Sequence, residues 1–189
     1  SMVDSHCHLA DRAFDADLEA VIDRARAAGL TQALTILAAG DADEAARATR
    51  VAALWDRVRF AVGVHPHQAH EFGGSGRSSA IVRAAFADNP RVRAVGEIGL
   101  DYHYDFSPRN VQRAVFAEQL ALARELRRPV IIHTREADDD TLDIDKKGGT
   151  CFFSLQEPKD GTYESTICTQ GAYTSKKIAS VTLLLQAAE

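Results

Sequence analysis

Val3-Asp4-Ser5-His6-Cys7-His8-Leu9 reads as a short β-strand near the N-terminus that ends in His-x-His. In a strand, residues i and i+2 share a face and lie about 7 Å apart, so both imidazoles aim the same way. Imidazole is the commonest neutral metal ligand, and two of them on one rigid strand make a preset half-site. An isolated His-x-His is equally consistent with chance. The strands that follow decide between the two, and they decide the fold with it.

After this strand, Asp15 to Ala28 repeats Leu18, Val21, Ile22 and Ala25 at helical spacing, and Gly29 stops the helix. Leu30 to Leu37 is an apolar strand, and Asp41 caps a helix running to Leu54. A third strand, Val58 to Val64, leads into His65-Pro66-His67. A Gly/Ser loop at Gly73–Ser79 precedes a helix over about Ala80–Ala87. Arg91 to Leu100 is a fourth strand, and Pro108 opens a long helix to about Leu126. Pro129-Val130-Ile131-Ile132-His133 is a fifth strand, and Glu136 to about Ile144 begins a fifth helix.

Five β-then-α units in a row call for parallel strands joined by right-handed crossovers. That leaves an open doubly wound sheet or a TIM-type (β/α) barrel. His6 and His8, His65, Glu97 and His133 fall at the carboxyl ends of strands one, three, four and five. Barrels collect their chemistry on that face. An open sheet instead binds at a reversal of strand order, usually through a Gly-rich phosphate loop, and the sequence has none. The expected fold is therefore α/β: a partial TIM barrel of about five βα units.

Glu97 lies in the otherwise apolar Ala94-Val95-Gly96-Glu97-Ile98-Gly99-Leu100-Asp101. A carboxylate in such a strand is costly to bury unless it is paired or bound to metal, and an Arg partner is the competing explanation. His133 follows Val130-Ile131-Ile132 in the same way. A lone His at a strand end is more often a satisfied core residue. Beside the other strand-end His and Glu residues, the ligand reading is the better one.

Composition bounds the partners. The 189 residues carry a net charge of −5 with 46% hydrophobic and 26% charged residues, so a soluble globular domain is expected and a broad basic surface is not. No stretch approaches the ~20 apolar residues of a membrane span, and no signal-peptide pattern opens the chain. Ser1 before Met2 reads as a residue left by tag removal. Cys7, Cys151 and Cys168 are sparse and lack zinc-type spacing, which points to a reducing, cytoplasmic setting. The basic residues divide sharply: residues 1–145 hold 17 Arg and no Lys, while 146–189 hold 5 Lys and no Arg. So abrupt a change sets 146–189 apart as an unrelated tail, chimeric or frame-shifted.

Four blocks resemble the TatD family of metal-dependent deoxyribonucleases within the amidohydrolase-like barrels. They are Asp4-Ser5-His6-Cys7-His8-Leu9, Gly63-Val64-His65-Pro66-His67, Gly96-Glu97-Ile98-Gly99-Leu100-Asp101-Tyr102 and Pro129-Val130-Ile131-Ile132-His133-Thr134-Arg135. Gln119 to Pro129 matches the family's lead-in to strand five. The resemblance covers about residues 2–144, the first five of eight barrel units. It implies a divalent ion (Mg, Mn or Zn) held by His6 and His8, with Glu97 as the catalytic bridge to a second ion on His133. It implies that His65 contacts the phosphate or the metal-bound water, that Asp101 and Arg135 orient substrate, and that DNA is the substrate. The ions would supply positive charge locally to an acidic protein.

The family pattern also includes a later metal His and an acid in a Thr-Asp-x-Pro-like block. This sequence has no His after His133 and no such block, and only 45 residues follow Ile144. One ion rather than two, and an impaired hydrolase, are the corresponding expectations. The alternative is a non-catalytic, truncated or chimeric scaffold. The tail has β-prone stretches at 149–155, 162–169 and 178–185. They predict a β-rich tail docked on the incomplete barrel's open edges, with self-association into a homo-oligomer.

Overall fold

The computed structural model describes residues 2–74, 76–148, 153–154, 165–169 and 172–176. Strands β1 (Met2–Cys7), β2 (Leu30–Ala38), β3 (Val58–Gly63), β4 (Val92–Asp101) and β5 (Val130–Arg135) alternate with helices α1 (Leu18–Ala27), α2 (Ala42–Leu54), α3 (Arg77–Asp88), α4 (Arg109–Leu126) and α5 (Asp138–Gly148). The five strands are parallel, and each pairs with its neighbour in chain order. With no reversal among them, this is the winding of half a (β/α) barrel; a doubly wound sheet would switch direction. No helix among the described residues is long and apolar enough to cross a membrane.

Alternation along the strands builds two apolar layers. Phe60, Val62, Val130, Ile132 and Leu100 pack toward the helices with Phe116, Leu120 and Ile22. Leu34, Ile36, Ala61, Ala94 and Ile131 form a second cluster. Strand residues two apart share a face, so His133 stands on the face of Ile131. Local chemistry sets the ends of the elements. Gly29 closes α1 at φ +97°, and the Asp41 carboxylate accepts the Glu44 N–H at 2.8 Å to cap α2. A 3₁₀ turn at Arg12–Phe14 and a further turn at 15–17 precede α1, which begins at Leu18 rather than at the expected Asp15.

Two buried amides on α4 hold the strand ends that open the site. Gln119 accepts the Val64 N–H at 2.7 Å and donates to the Val64 carbonyl at 3.1 Å. Gln112 accepts the Asp101 N–H at 2.8 Å and donates to the carbonyls of Asp101 (3.1 Å) and Ser107 (2.8 Å). Each amide replaces ladder bonds that the sheet no longer supplies there.

One expectation is corrected here. Glu97 is not at the carboxyl end of its strand but well inside β4, which runs on to Asp101. The pairing of β4 with β5 shifts register between Val95 and Ile98, and a bulge of this kind re-aims a side chain without ending the strand. His133 likewise lies inside β5.

Beyond α5, Phe153–Ser154 pairs in parallel with β5, and Ser165–Thr169 and Ala172–Lys176 pair antiparallel to each other. The expected stretch at 178–185, the docking of the tail as a whole and its part in self-association lie outside the described residues.

Gly99 pairs with His133 at φ +146°, and a Cβ there would collide with the His133 carbonyl oxygen. Gly99→Ala is expected to cost on the order of 3 kcal/mol or more, read as a lower urea midpoint. A second expectation concerns Glu118, which joins α4 to the start of α3. Its carboxylate accepts from Ser78 Oγ (2.7 Å), the Ser79 N–H (2.8 Å), Ser79 Oγ (3.0 Å) and the Gly76 N–H (3.2 Å). Burial raises its pKa, but the Ser79 N–H and the other donors outweigh that and bring it below the ordinary value. A lowered folded pKa gives stability above the unfolded carboxylate range that is lost as pH falls through the folded pKa. Glu118→Gln should therefore melt lower than the parent chain at pH 7, by about 1 kcal/mol. The two melting curves should converge only as pH falls below the ordinary carboxylate range, through the lowered folded pKa.

Candidate metal centre

The polar site forms where β1, β4 and β5 and the turn after β3 converge. His6 and His8 come from the end of β1, with ring centroids 5.2 Å apart. Glu97 reaches between β1 and β5: His6 Nε2 lies 3.5 Å from Oε2, and His133 Nδ1 lies 3.1 Å from Oε1. Pro66 opens a 3₁₀ turn, Pro66–Glu71, that leaves His65 and His67 with ring centroids 4.3 Å apart. The His67 N–H donates to His65 Nδ1 at 3.2 Å, which fixes that ring. His65 stands 4.5 Å from His133, centroid to centroid.

Asp101, at the end of β4, ties these pieces together. Its Oδ2 lies 2.6 Å from His67 Nε2 and 3.1 Å from His133 Nε2. Its Oδ1 accepts the N–H groups of His103 (3.1 Å) and Tyr104 (3.0 Å). The residue is fully buried, so protein donors occupy both oxygens. These contacts orient the two histidines.

Two groups of three could each hold a cation: His6, His8 and Glu97, and His65, His67 and His133. Within each group the ligand atoms all lie within 4.8 Å of one another. The groups meet at the Glu97–His133 contact. His67 was missed from the sequence, although His65-Pro66-His67 repeats the spacing of His6-Cys7-His8. Arg135 stands to one side with its guanidinium 4.7 Å over the Tyr104 ring.

The protonation states suit cation binding. Burial pushes His65 down to about 4, and the neighbouring His133 adds to the effect. Burial also lowers His6, against the pull of Glu97. Both rings are then neutral near pH 7 and present lone pairs. Burial acts to raise Glu97, but the His133 hydrogen bond and the surrounding imidazoles outweigh it and bring the acid to about 2. Burial likewise acts to raise Asp101, and the Tyr104 N–H, His67 and His133 bring it to about 2. His133 shifts the opposite way. Burial lowers it, yet Glu97 and Asp101 together raise it. A proton on His133 thus balances two carboxylates with one positive charge. A neutral-imidazole and carboxylate set of this kind fits Zn²⁺ or Mn²⁺ and accommodates Mg²⁺ through the carboxylate.

Comparison with known proteins agrees with this chemistry. Residues 3–155 match the family described as TatD related DNase. The chain is 36% identical over 148 residues to the uncharacterized metal-dependent hydrolase YabD of Bacillus subtilis, covering 78% of this chain and 56% of that protein. It is 39% identical over 140 residues to the 3'-5' ssDNA/RNA exonuclease TatD of Klebsiella pneumoniae, covering 73% and 51%. The crystal structure of YJJV, a TatD homolog from Escherichia coli, superposes with a TM-score of 0.67 at 31% identity, covering 78% and 56%. The chain spans about half the length of the curated relatives it matches.

Saturating Mn²⁺ or Zn²⁺ is expected to raise the melting temperature, by about 3 kcal/mol of added stability at a hundredfold excess over Kd. EDTA should reverse the shift, and Glu97→Ala should remove most of it. A scan in which Glu97→Ala keeps the full shift places the ion elsewhere.

Proposed function

The chain belongs to the family of TatD-related DNases, and from that premise we propose that its site hydrolyses phosphodiester bonds in single-stranded DNA or RNA with divalent metal. The observation carrying this reading is the meeting of two three-ligand groups at Glu97 and His133. His6, His8 and Glu97 would hold one ion. His133, with His65 and His67 beside it, would hold a second when two are bound. A bound divalent ion makes water a better nucleophile and offsets charge on the scissile phosphate.

The chain's own residues prepare the rest. Glu97 is ionised across the neutral range and offers one oxygen toward each group. Asp101 holds His67 and His133 in fixed orientations from behind, as a partner to a metal-ligating histidine does. His65 lies where it can either ligate or meet a phosphate oxygen. Arg135 presents a planar fork suited to phosphate. At a net charge of −5, local cations rather than a basic surface would draw the strand in.

A second reading is a folded scaffold that binds metal with little turnover. It is favoured by the grouping of all seven histidines at or before His133, which leaves the first five strands as the source of every imidazole. Single-stranded DNA labelled at its 5′ end, incubated with Mg²⁺, Mn²⁺ or Zn²⁺, separates the two. The hydrolase reading expects metal-dependent shortening that falls at least about a hundredfold in Glu97→Ala. Shortening that survives this substitution sinks the site. Metal binding without shortening establishes the scaffold.

A further inference from the structure

The loop between β4 and α4 carries two large rings into solvent. Phe106 is 61% exposed and Tyr104 47%. They lie parallel, 5.2 Å between centroids at 17°, as residues i and i+2 of one loop. The Arg135 guanidinium lies 4.7 Å over the Tyr104 ring. The edge of His67, from one of the ligand groups, meets Phe106 at 4.8 Å and Tyr104 at 5.6 Å. An aromatic platform therefore continues outward from the candidate metal centre.

The loop that holds these rings is firmly built. Asp101 accepts the Tyr104 N–H at 3.0 Å, and Gln112 bonds the Ser107 carbonyl at 2.8 Å. Ser107 Oγ donates to the His67 carbonyl at 3.0 Å. Between the rings, Asp105 sits at φ +54° and pairs with Arg109. Burial of the rings does not explain this investment, because exposed rings gain little from water exclusion. A rigid display of exposed aromatics fits a flat, unsaturated ligand, since ordering costs are met before binding.

We propose that Tyr104 and Phe106 form a stacking subsite for an unpaired nucleobase of a single strand, with Arg135 directed at an adjacent phosphate. This rests on the phosphodiesterase reading of the neighbouring site. Stacking on aromatic rings is sequence-tolerant because every base has a π-face, and arginine adds charge to the same contact. A base inside a duplex has both faces covered by its neighbours, so the subsite favours single strands and frayed ends. It would also hold a strand end close to His67 and the ligand groups, where the bond to be cut must lie.

The test uses a short oligothymidylate with 2-aminopurine at its 3′ end, titrated with the full chain in EDTA so that the strand stays intact. Stacking quenches 2-aminopurine fluorescence. The parent chain should quench it, and Phe106→Ala should weaken binding about tenfold. Tyr104→Phe should retain the quench, and Phe106→Leu, apolar but without a π-face, should lose it. Circular dichroism melts confirm that each variant is folded. Several outcomes overturn the inference: no quench by the parent chain, equal affinity for Phe106→Ala, or equal binding of the blunt duplex. Light scattering in which Phe106→Ala turns a dimer into a monomer also overturns it, by assigning the rings to a contact between copies. Mn²⁺-dependent hydrolysis of bis(p-nitrophenyl) phosphate by the parent chain and by Glu97→Ala reads the metal centre separately. Glu97-dependent hydrolysis with binding indifferent to Phe106 leaves the function standing and removes only the subsite. Phe106-dependent binding without hydrolysis does the reverse.

Discussion

The Asp101 carboxylate is the contact on which the site depends. Four donors from three parts of the chain converge on two buried oxygens: His67 from the turn after β3, His133 from β5, and the N–H groups of His103 and Tyr104 from its own loop. A buried carboxylate left short of donors would be strongly destabilising, so these segments must arrive together. That requirement sets the orientation of both histidines and the path of the loop beyond β4. It also explains why Asp101 is fully buried at the end of a strand whose neighbours feed an open site.

Much of this was legible in the residues. Strand order followed from the regular alternation of apolar runs with helical periodicity, and the site from His or Glu in otherwise apolar strands. The residues gathered at the centre include His6, His8, His65, Glu97 and His133. What escaped detection depends on contacts far apart in the chain. His67 looks like a turn residue after Pro66 until Asp101 is seen 2.6 Å away. The hold of Asp101 on His67 and His133 spans more than thirty residues of chain and has no local signal. Glu97 lies mid-strand by the bounds of the apolar run itself, while the register shift between Val95 and Ile98 beside it is a pairing detail that no single-strand pattern announces. Arg135 alternates correctly for the site, yet the Tyr104 ring beneath it determines where its charge rests.

His133 shows how the site balances itself. Its two ring nitrogens face two carboxylates at 3.1 Å each, so a proton there does electrostatically what a cation would do. The relatives that share this half of the fold include proteins named as exonucleases and others named only as metal-dependent hydrolases.

Helix α4 has a consequence that goes beyond support. Gln112 and Gln119 are two turns apart, about 10 Å along the axis, and each locks one strand end through a two-way amide contact. The helix therefore works as a ruler cut to a fixed length. Adding or deleting one residue between the two glutamines would rotate one amide about 100° away from its strand.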